Sequence, residues 1–305
     1  MIVDNRFECH GQIRCGTISV SDLEKSLVLY RSFLDFEPIE RGELDKQLAT
    51  LWGLPKMLGA KYVVLQAKSC GPALLRLIEV PKIDGFVPAI SYGWSAFEIT
   101  VADVFRLAKE LKDSDFNIVG PPKLVDGFTS FIPMQVFGPD GEILFLNQVN
   151  HSDEDVDLPI AQCNVDQLFI VVLAALNREA SAFDYEHQLS LDITGTHHIR
   201  YSLINRAFQL PAETKQTITM MQKARSPFAQ IDQFPSQAIQ RPCHDGWLPP
   251  GNSMVSIFVD NIADLPIADK IVSLPTVPDS MVYKGRKTAV IRGAVSEYIE
   301  LIQID

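Results

Sequence analysis

The feature that most constrains the fold of this 305-residue chain is an internal repeat. One phrase recurs four times: an alternating apolar strand, a turn containing Asp or Asn, and then a helix. The four copies lie at residues 13–34, 95–111, 165–189 and 253–265. The valines taken as the strand ends are Val20, Val101, Val172 and Val259. Alternate copies are therefore 152 and 158 residues apart, which indicates a duplication of half the chain.

The ends of the two halves repeat as well. Residues 142–148 read EILFLNQ and residues 297–303 read EYIELIQ, 155 residues later. Further strand candidates, separated by turn residues, follow each strand–helix phrase. The sequence therefore predicts four units, each with the order strand, helix and three strands (βαβββ).

An acidic segment separates the halves. Residues 150–159, NHSDEDVDLP, place four acidic residues and a proline between apolar stretches. Because like charges repel and resist burial, this segment is typical of a solvated connector. We predict a first domain at residues 1–149, a linker at 150–160 and a second domain at 161–305, with two units in each domain.

Composition excludes several classes of protein. Hydrophobic residues make up 47% of the chain, which is enough for a sizeable core. The longest apolar run, residues 168–176, is about half the roughly 20 residues that a bilayer requires. The net charge is −11 and no Lys/Arg cluster stands out, so we expect neither nucleic acid nor a membrane as a partner.

Cysteine usage and the first residues predict a location. The five cysteines are scattered and include no CxxC, which is typical of reduced thiols. The chain begins MIVDNRFECH, without the basic and apolar segments of a signal peptide. We therefore expect a cytoplasmic protein whose partner is a small molecule, and a homodimer is left open.

Two motifs resemble a known family. Residues 20–34 contain V-S-D-L-E-K-S-L-x-x-Y-R-x-x-L, and residues 138–143 contain G-P-D-G-E-I. Together with four βαβββ units, they resemble the vicinal oxygen chelate superfamily, which includes glyoxalase I, bleomycin-resistance proteins and extradiol dioxygenases. The resemblance implies an α+β fold in which the four units form two cupped half-barrel domains. Active members of this superfamily hold a divalent metal in a cup.

The resemblance also implies where metal ligands would lie. In the first half, these positions hold Cys15, Arg76, Ala96 and Phe145. Because Arg76 would repel a cation and Phe145 offers no lone pair, we predict no metal in the first domain. Arg76 could instead bind an anionic ligand, or its stem could cover the sheet while its head reaches water.

In the second half, the same positions hold Gln167, Gln230, Met254 and Glu300. Glu300 alternates out of phase with Ile299 and Leu301, so it is predicted to face the cavity. Both histidines of an extradiol iron site are replaced, by Gln167 and Met254, so ring cleavage at such a site is not expected. The cofactor is unknown from the sequence: we expect none, with a weak divalent-metal site of Gln167, Gln230 and Glu300 as the alternative.

Two functions of different classes remain. The first is a glyoxalase/dioxygenase-like enzyme, a lyase, isomerase or dioxygenase, acting on a small carbonyl, enol or aromatic compound in the second-domain cavity. Glu300 would be its catalytic base, since burial in an apolar cup can raise a glutamate pKa toward neutrality. Gln167 and Gln230 would orient the substrate, and Trp247 would cover it. The second function is binding or sequestration without chemistry, as in bleomycin resistance.

Overall fold

The computed structural model describes residues 8–124 and 129–304, and it contains strands β1–β15 and helices α1–α5. Unit 1 comprises β1 (Ile13–Val20), α1 (Leu23–Leu34), β2 (Glu37–Glu43), α2 (Lys46–Leu51), β3 (Lys61–Gln66) and β4 (Leu74–Glu79). Unit 2 comprises β5 (Gly93–Val101), α3 (Val104–Glu110), β6 (Asn117–Gly120), β7 (Phe131–Phe137) and β8 (Ile143–Val149). Unit 3 comprises β9 (Val165–Ala175), α4 (Arg178–Leu189), β10 (Asp192–Arg200), α5 (Ser202–Ala207), β11 (Lys215–Lys223) and β12 (Ser226–Gln233). Unit 4 comprises β13 (Gly251–Val259), β14 (Thr288–Arg292) and β15 (Tyr298–Gln303).

Unit 4 departs from the repeat between its first and third strands. A 3-10 turn at Ile262–Asp264 stands where the other units have a helix. Pro266, Pro275 and Pro278 follow this turn, and proline supports neither a continuing helix nor a central strand. Residues 265–287 consequently form no strand, and only isolated bridges join them to β14.

The helix caps explain where the first strands end. Asp22, Asp103 and Asn177 cap α1, α3 and α4, and each side chain accepts a hydrogen bond from a backbone N–H in the first turn. Each cap stands two residues after its strand. The third strand therefore ends at Ala175, and the predicted end at Val172 is wrong by three residues.

The strands form two open sheets. The seven-stranded sheet has the order β14-β15-β13-β1-β4-β3-β2, and the eight-stranded sheet has the order β10-β11-β12-β9-β5-β8-β7-β6. The first strands of two units meet antiparallel at the centre of each sheet, β1 with β13 and β5 with β9. The α+β class with two cupped half-barrels is thereby confirmed.

The two sheets do not coincide with the two halves of the chain. Unit 1 shares its sheet with unit 4, and unit 2 shares its sheet with unit 3. The prediction that both units of one half form one cup is therefore wrong. The acidic segment at residues 150–160 lies without regular structure between β8 and β9, so it connects two strands of the same sheet.

The largest core lies between the convex faces of the sheets. Helices α1, α3 and α4 contribute their apolar sides to it, together with residues of both sheets. Gly16 in β1 is required there, because a Cβ atom would lie 2.7 Å from the ring of Phe97. No helix in the described ranges is long and apolar enough to cross a membrane.

The duplication also appears in side-chain contacts. The Tyr30 hydroxyl donates to Glu142 Oε1 at 3.2 Å, and the Tyr185 hydroxyl donates to Glu297 Oε1 at 2.7 Å. Both tyrosines and both glutamates are 155 residues apart, and each pair joins a helix to the turn before a last strand. The two halves thus repeat a buried contact as well as a strand order.

Candidate functional site

The concave face of the seven-stranded sheet, here called the filled cup, is occupied by side chains of the chain itself. Helix α2, the residues on either side of it, and the segments before β13 and β14 place large residues inside the cup. These residues include Leu44, Leu48, Trp52, Met57, Leu248, Val282 and Tyr283, all of which are buried. The cup is therefore filled by side chains of the protein and forms part of its hydrophobic core.

A buried ion pair lies at the centre of the filled cup. Arg76 Nη2 donates to Glu300 Oε2 at 2.8 Å, and both side chains are at most 2% exposed. Glu300 Oε1 accepts hydrogen bonds from Trp52 Nε1 at 2.7 Å and from the Tyr283 hydroxyl at 2.6 Å. The Ser256 hydroxyl donates to Oε2 at 2.5 Å. Every strong acceptor position of Glu300 thus has a donor from the protein.

The groups around Arg76 stabilise the protonated form of its guanidinium. Burial alone would lower the pKa of Arg76, but the Glu300 carboxylate and the Tyr283 hydroxyl raise it above its usual value. The guanidinium also donates to the Thr17 hydroxyl and lies 4.6 Å from the ring of Trp52. The sequence analysis predicted that Arg76 binds an anionic ligand or extends into water. Neither role matches this geometry, because its guanidinium donates to buried side chains of the protein.

The concave face of the eight-stranded sheet, here called the open cup, encloses a cavity of about 480 Å³. Its walls are largely apolar and include Phe131, Phe145, Phe169, Ile170, Tyr201, Ile218 and Met220. Glu98, Asn147 and Gln230 line it from the central strands β5, β8 and β12. Charged side chains also line it, among them Lys123, Asp153, Glu154, Asp155 and Arg200. A mostly apolar cavity with a few convergent polar groups is the usual form of a small-molecule site.

The polar groups of the open cup are only partly satisfied. Asn147 Nδ2 donates to Glu98 Oε2 at 2.5 Å, and Gln230 Nε2 donates to Asp232 Oδ1 at 2.7 Å. Asn147 Oδ1 is buried and has no hydrogen-bond partner within residues 8–124 and 129–304. A buried acceptor without a donor costs about 1–3 kcal/mol, so a bound ligand or water that donates a proton would stabilise the cup.

Two buried acids of the eight-stranded sheet, Glu98 and Asp232, resist ionisation. Burial raises the pKa of Glu98 to about 8, although the hydrogen bond from Asn147 opposes the shift. Burial also raises the pKa of Asp232 well above its usual range, and repulsion from Glu98 adds to this. Since the pKa of Glu98 lies at about 8, the protonated form of Glu98 is favoured near neutral pH. Perturbed acids in a cavity are typical of proton-transfer sites.

A comparison with family models finds a match in the first half of the chain. Residues 12–144 match the family model of the Glyoxalase/Bleomycin resistance protein/Dioxygenase superfamily. The match covers the first half of the chain, which is similar to this superfamily. The resemblance inferred from the two sequence motifs is thereby confirmed.

Solved structures of the superfamily share the architecture. Glyoxalase I from Zea mays superposes with a TM-score of 0.63 at 17% identity, over 96% of this chain and 92% of that chain. A candidate dioxygenase from Bacillus subtilis subsp. subtilis str. 168 superposes with a TM-score of 0.61 at 8% identity, over 97% and 86%. At these identities the likeness shows the fold alone. No curated protein matches the chain.

The strand registers show which residues occupy corresponding positions in the two cups. In the filled cup, Thr17 pairs with Arg76 and Ser256 pairs with Glu300. In the open cup, the corresponding pairs are Glu98 with Phe145 and Val172 with Gln230. Glu98 therefore occupies a first-strand position that faces the cavity, and the sequence analysis missed it. The signal was present, because Glu98 lies between Phe97 and Ile99 as Glu300 lies between Ile299 and Leu301.

The structure separates the site residues that the sequence analysis placed together. Glu300 lies in the filled cup and Gln230 lies in the open cup, so the prediction that they share a cavity is wrong. The reason is that their strands, β15 and β12, belong to different sheets. Gln167 lies outside both cups, in a crevice of about 70 Å³, because β9 extends three residues further than predicted. A catalytic role for Glu300 stays a prediction without a cavity to support it.

Trp247 also lies away from the open cup. It lines a third cavity, of about 470 Å³, together with Trp94 and Tyr298. Its ring packs against the residues of the filled cup. Trp247 therefore does not cover the cavity that holds Glu98 and Gln230.

The donor sets do not fit the divalent metal that the superfamily implies. In the filled cup, the Arg76 guanidinium occupies the place of a cation beside Glu300. In the open cup, Phe145 and Val172 offer no lone pair, which leaves one carboxyl and one amide at the four positions. The described residues contain no group of three His, Cys, Asp or Glu placed to hold a metal ion. The predicted weak site of Gln167, Gln230 and Glu300 is not formed.

Proposed function

We propose that the protein is an enzyme that transfers a proton to or from a small carbonyl, enol or aromatic compound bound in the open cup. The observation that carries this proposal is the Glu98 carboxyl, with a pKa of about 8, at a ligand-sized cavity. The cavity lies between unit 2 and unit 3, so each half of the chain contributes one side of it. The site proposed from the sequence is thereby moved from Glu300 to Glu98.

The cavity walls favour a compact substrate with one apolar side. Phe131, Phe145 and Phe169 offer aromatic faces for a planar body. At the polar end, Asn147 Oδ1 requires a donor, which a substrate hydroxyl or an enol O–H supplies. A cavity of about 480 Å³ is of the size that holds a small organic molecule.

Glu98 would carry the proton. Asn147 holds one oxygen of the carboxyl, which leaves the second oxygen for the substrate. In the protonated form Glu98 donates to a substrate oxygen, and in the ionised form it removes a proton from carbon. A pKa near the working pH makes both forms available, which is the condition for efficient general acid–base catalysis.

The test is the Glu98→Gln variant against a panel of dicarbonyls and catechols. The amide keeps the shape and the hydrogen bond from Asn147 but carries no transferable proton. We expect turnover to fall at least about 100-fold, the lower range for the loss of a general acid or base. Ligand binding should remain.

The matched control is Glu300→Gln, the same substitution in the filled cup. Assayed below its unfolding temperature, this variant should turn over at the rate of the unmodified protein. Full activity of Glu98→Gln, or loss of activity in a folded Glu300→Gln protein, would contradict the proposal and return the site to Glu300. Assays with and without a chelator and added divalent ions keep the result independent of metal content.

The apolar lining favours a second candidate function. Phe145 occupies one of the four positions that face the centre of the open cup, and it can stack on a ligand but cannot react. This suits binding without chemistry, of the bleomycin-resistance kind. Saturable binding of aromatic compounds with no turnover of any panel member would support it.

The cellular setting is also a proposal. All five cysteines are free, and two of them, Cys15 and Cys163, are wholly or partly buried. Free thiols persist in a reducing compartment, which supports a cytoplasmic enzyme with a small-molecule substrate.

A further inference from the structure

A cleft outside both cups contains two arginines, neither of which forms an ion pair within the described residues. This arginine cleft, the third cavity described above, has a volume of about 470 Å³. It lies between the start of β5, the first turn of α4, the loop before β13 and the turn between β14 and β15. Its lining includes Arg241, Arg292, Tyr92, Trp247 and Glu297.

Arg241 is held by neutral groups only. Its Nε donates to the Ser91 hydroxyl at 3.1 Å, and its Nη1 donates to the backbone oxygen of Asn252 at 2.7 Å. Burial lowers the pKa of Arg241 to about 10, and no carboxylate opposes the shift. These contacts fix one edge of the guanidinium and leave further N–H donors for a ligand.

Arg292 is oriented by an aromatic ring. Its guanidinium carbon lies 3.6 Å from the ring centroid of Tyr298, which is the stacked arrangement of a cation–π contact. Its Nη1 is buried and has no hydrogen-bond partner in the part of the chain that the structure describes. A buried charged donor without an acceptor is costly, and an anion in the cleft would satisfy it.

One acid lines the cleft and has partners elsewhere. Glu297 accepts hydrogen bonds from the Tyr185 hydroxyl at 2.7 Å and from the backbone N–H of Val295 at 2.9 Å. Burial raises the pKa of Glu297, and the charge of Arg292 opposes this shift. Glu297 is thus a single carboxyl set against two guanidinium groups. The two guanidinium groups therefore leave the cleft with net positive charge.

We propose that the arginine cleft binds a small planar oxyanion, with its carboxylate or phosphate between Arg241 and Arg292 and its flat body against Tyr92 and Trp247. Both aromatic side chains are partly exposed in the cleft, so their faces are available for stacking. Arginine is suited to such a ligand because its planar fork binds carboxylate and phosphate oxygens in pairs.

The first half of the chain provides an internal contrast. A matching cleft of about 310 Å³ surrounds the turn at residues 138–141. Phe137 stands there 155 residues before Arg292, and Asp115 and Asp140 line the cleft. The charge of the matching cleft thus opposes anion binding, so the arginines distinguish the two clefts.

The test compares benzoate, its uncharged analogue benzamide, and inorganic phosphate by calorimetric titration. We expect benzoate to bind at least about tenfold more tightly than benzamide. Arg241→Gln and Arg292→Phe, the latter installing the residue of the matching cleft, should each weaken benzoate binding at least about tenfold. Phosphate binding that is lost in the same variants would show that the oxyanion alone is recognised, and its absence would show that the planar body is required.

Two controls make the test decisive. Arg106→Gln removes an exposed arginine from α3 and should leave benzoate affinity unchanged. Glu98→Gln alters the open cup and should also leave it unchanged, so this result stands apart from the proposed catalytic function. Equal binding of benzoate and benzamide, or benzoate binding that survives both cleft substitutions, would overturn the proposal.

Discussion

The two cups share one architecture and differ in what they enclose. In the filled cup, Arg76 and Glu300 neutralise each other, and Trp52 and Tyr283 close the space around them. In the open cup, Glu98 has an amide instead of an arginine as its partner, and a cavity lies beside it. One half-barrel has therefore become core, while the other keeps a cavity.

The two cups differ in the free-energy cost of burying a carboxyl group. Both cups bury carboxyl groups. In the filled cup an arginine pairs directly with the carboxylate, whereas the direct partner of Glu98 is the amide of Asn147. An unpaired buried acid lowers stability when it ionises, whereas a paired one is stabilised by its partner. Since the open cup retains the unfavourable arrangement, it is the better candidate for a working site.

The largest expected effect comes from breaking the ion pair in the filled cup. Arg76→Met or Glu300→Leu leaves the remaining charge buried without its partner. Removing one member of a buried pair typically costs about 3–5 kcal/mol of unfolding free energy. Urea denaturation of each variant measures this cost.

The double variant separates the pair from the rest of the core. Arg76→Met combined with Glu300→Leu removes both charges and keeps the apolar volume, so most of the lost stability should return. If the double variant were as unstable as the sum of the single variants, the two residues would act independently and the comparison of the cups would fail.

A second, smaller effect is expected in the dependence of stability on pH. The folded-state pKa of Glu98, about 8, lies above its usual value of 4.5, so folding favours the protonated form. Stability should therefore fall as pH rises from about 4.5 to about 8 and stay level above that. At about 1.36 kcal/mol per pKa unit, the loss amounts to a few kcal/mol.

In the Glu98→Gln variant, the contribution of Glu98 to the fall in unfolding free energy with rising pH should be absent. Unfolding free energies between pH 5 and pH 9 measure it, with Glu142→Gln as the comparison. Burial raises the pKa of Glu142 to about 7, so its substitution should flatten the slope only up to that pH. An unchanged slope in Glu98→Gln would mean that Glu98 ionises normally and that the open cup is solvated.

The repeat made the strand order predictable, but not the pairing of the units. Each unit has the same local pattern whether β1 meets β13 or β5, because an alternating strand does not encode its neighbour. The contact between Arg76 and Glu300 spans 224 residues and joins different halves, so spacing within one half could not reveal it. The error at Glu300 thus followed from the assumed pairing.

The error at Gln167 had a local cause. Three apolar residues after Val172 continue the strand to Ala175, and the cap at Asn177 marks its end. The sequence analysis counted five residues back from Val172 and so selected Gln167. Counting five residues back from the helix cap at Asn177 selects Val172, which faces the cup. Glu98 could have been predicted from the same apolar–polar alternation that selected Glu300. Its contact with Asn147, 49 residues away, could not, because that contact depends on how the strands pair in the sheet.

The smallest predicted effect tests whether the halves remain equivalent outside the cups. Tyr30→Phe and Tyr185→Phe each remove one hydroxyl from a buried glutamate, Glu142 or Glu297. Each should lower the free energy of unfolding by about 1–2 kcal/mol, because the carboxyl loses a donor that nothing else replaces. Loss of the shorter hydrogen bond, at Tyr185, should cost slightly more.

The effects should add in the double variant, since the two pairs share no residue. Urea denaturation at pH 7 measures all three, and a large effect in one half only would show that the halves have diverged beyond their cups.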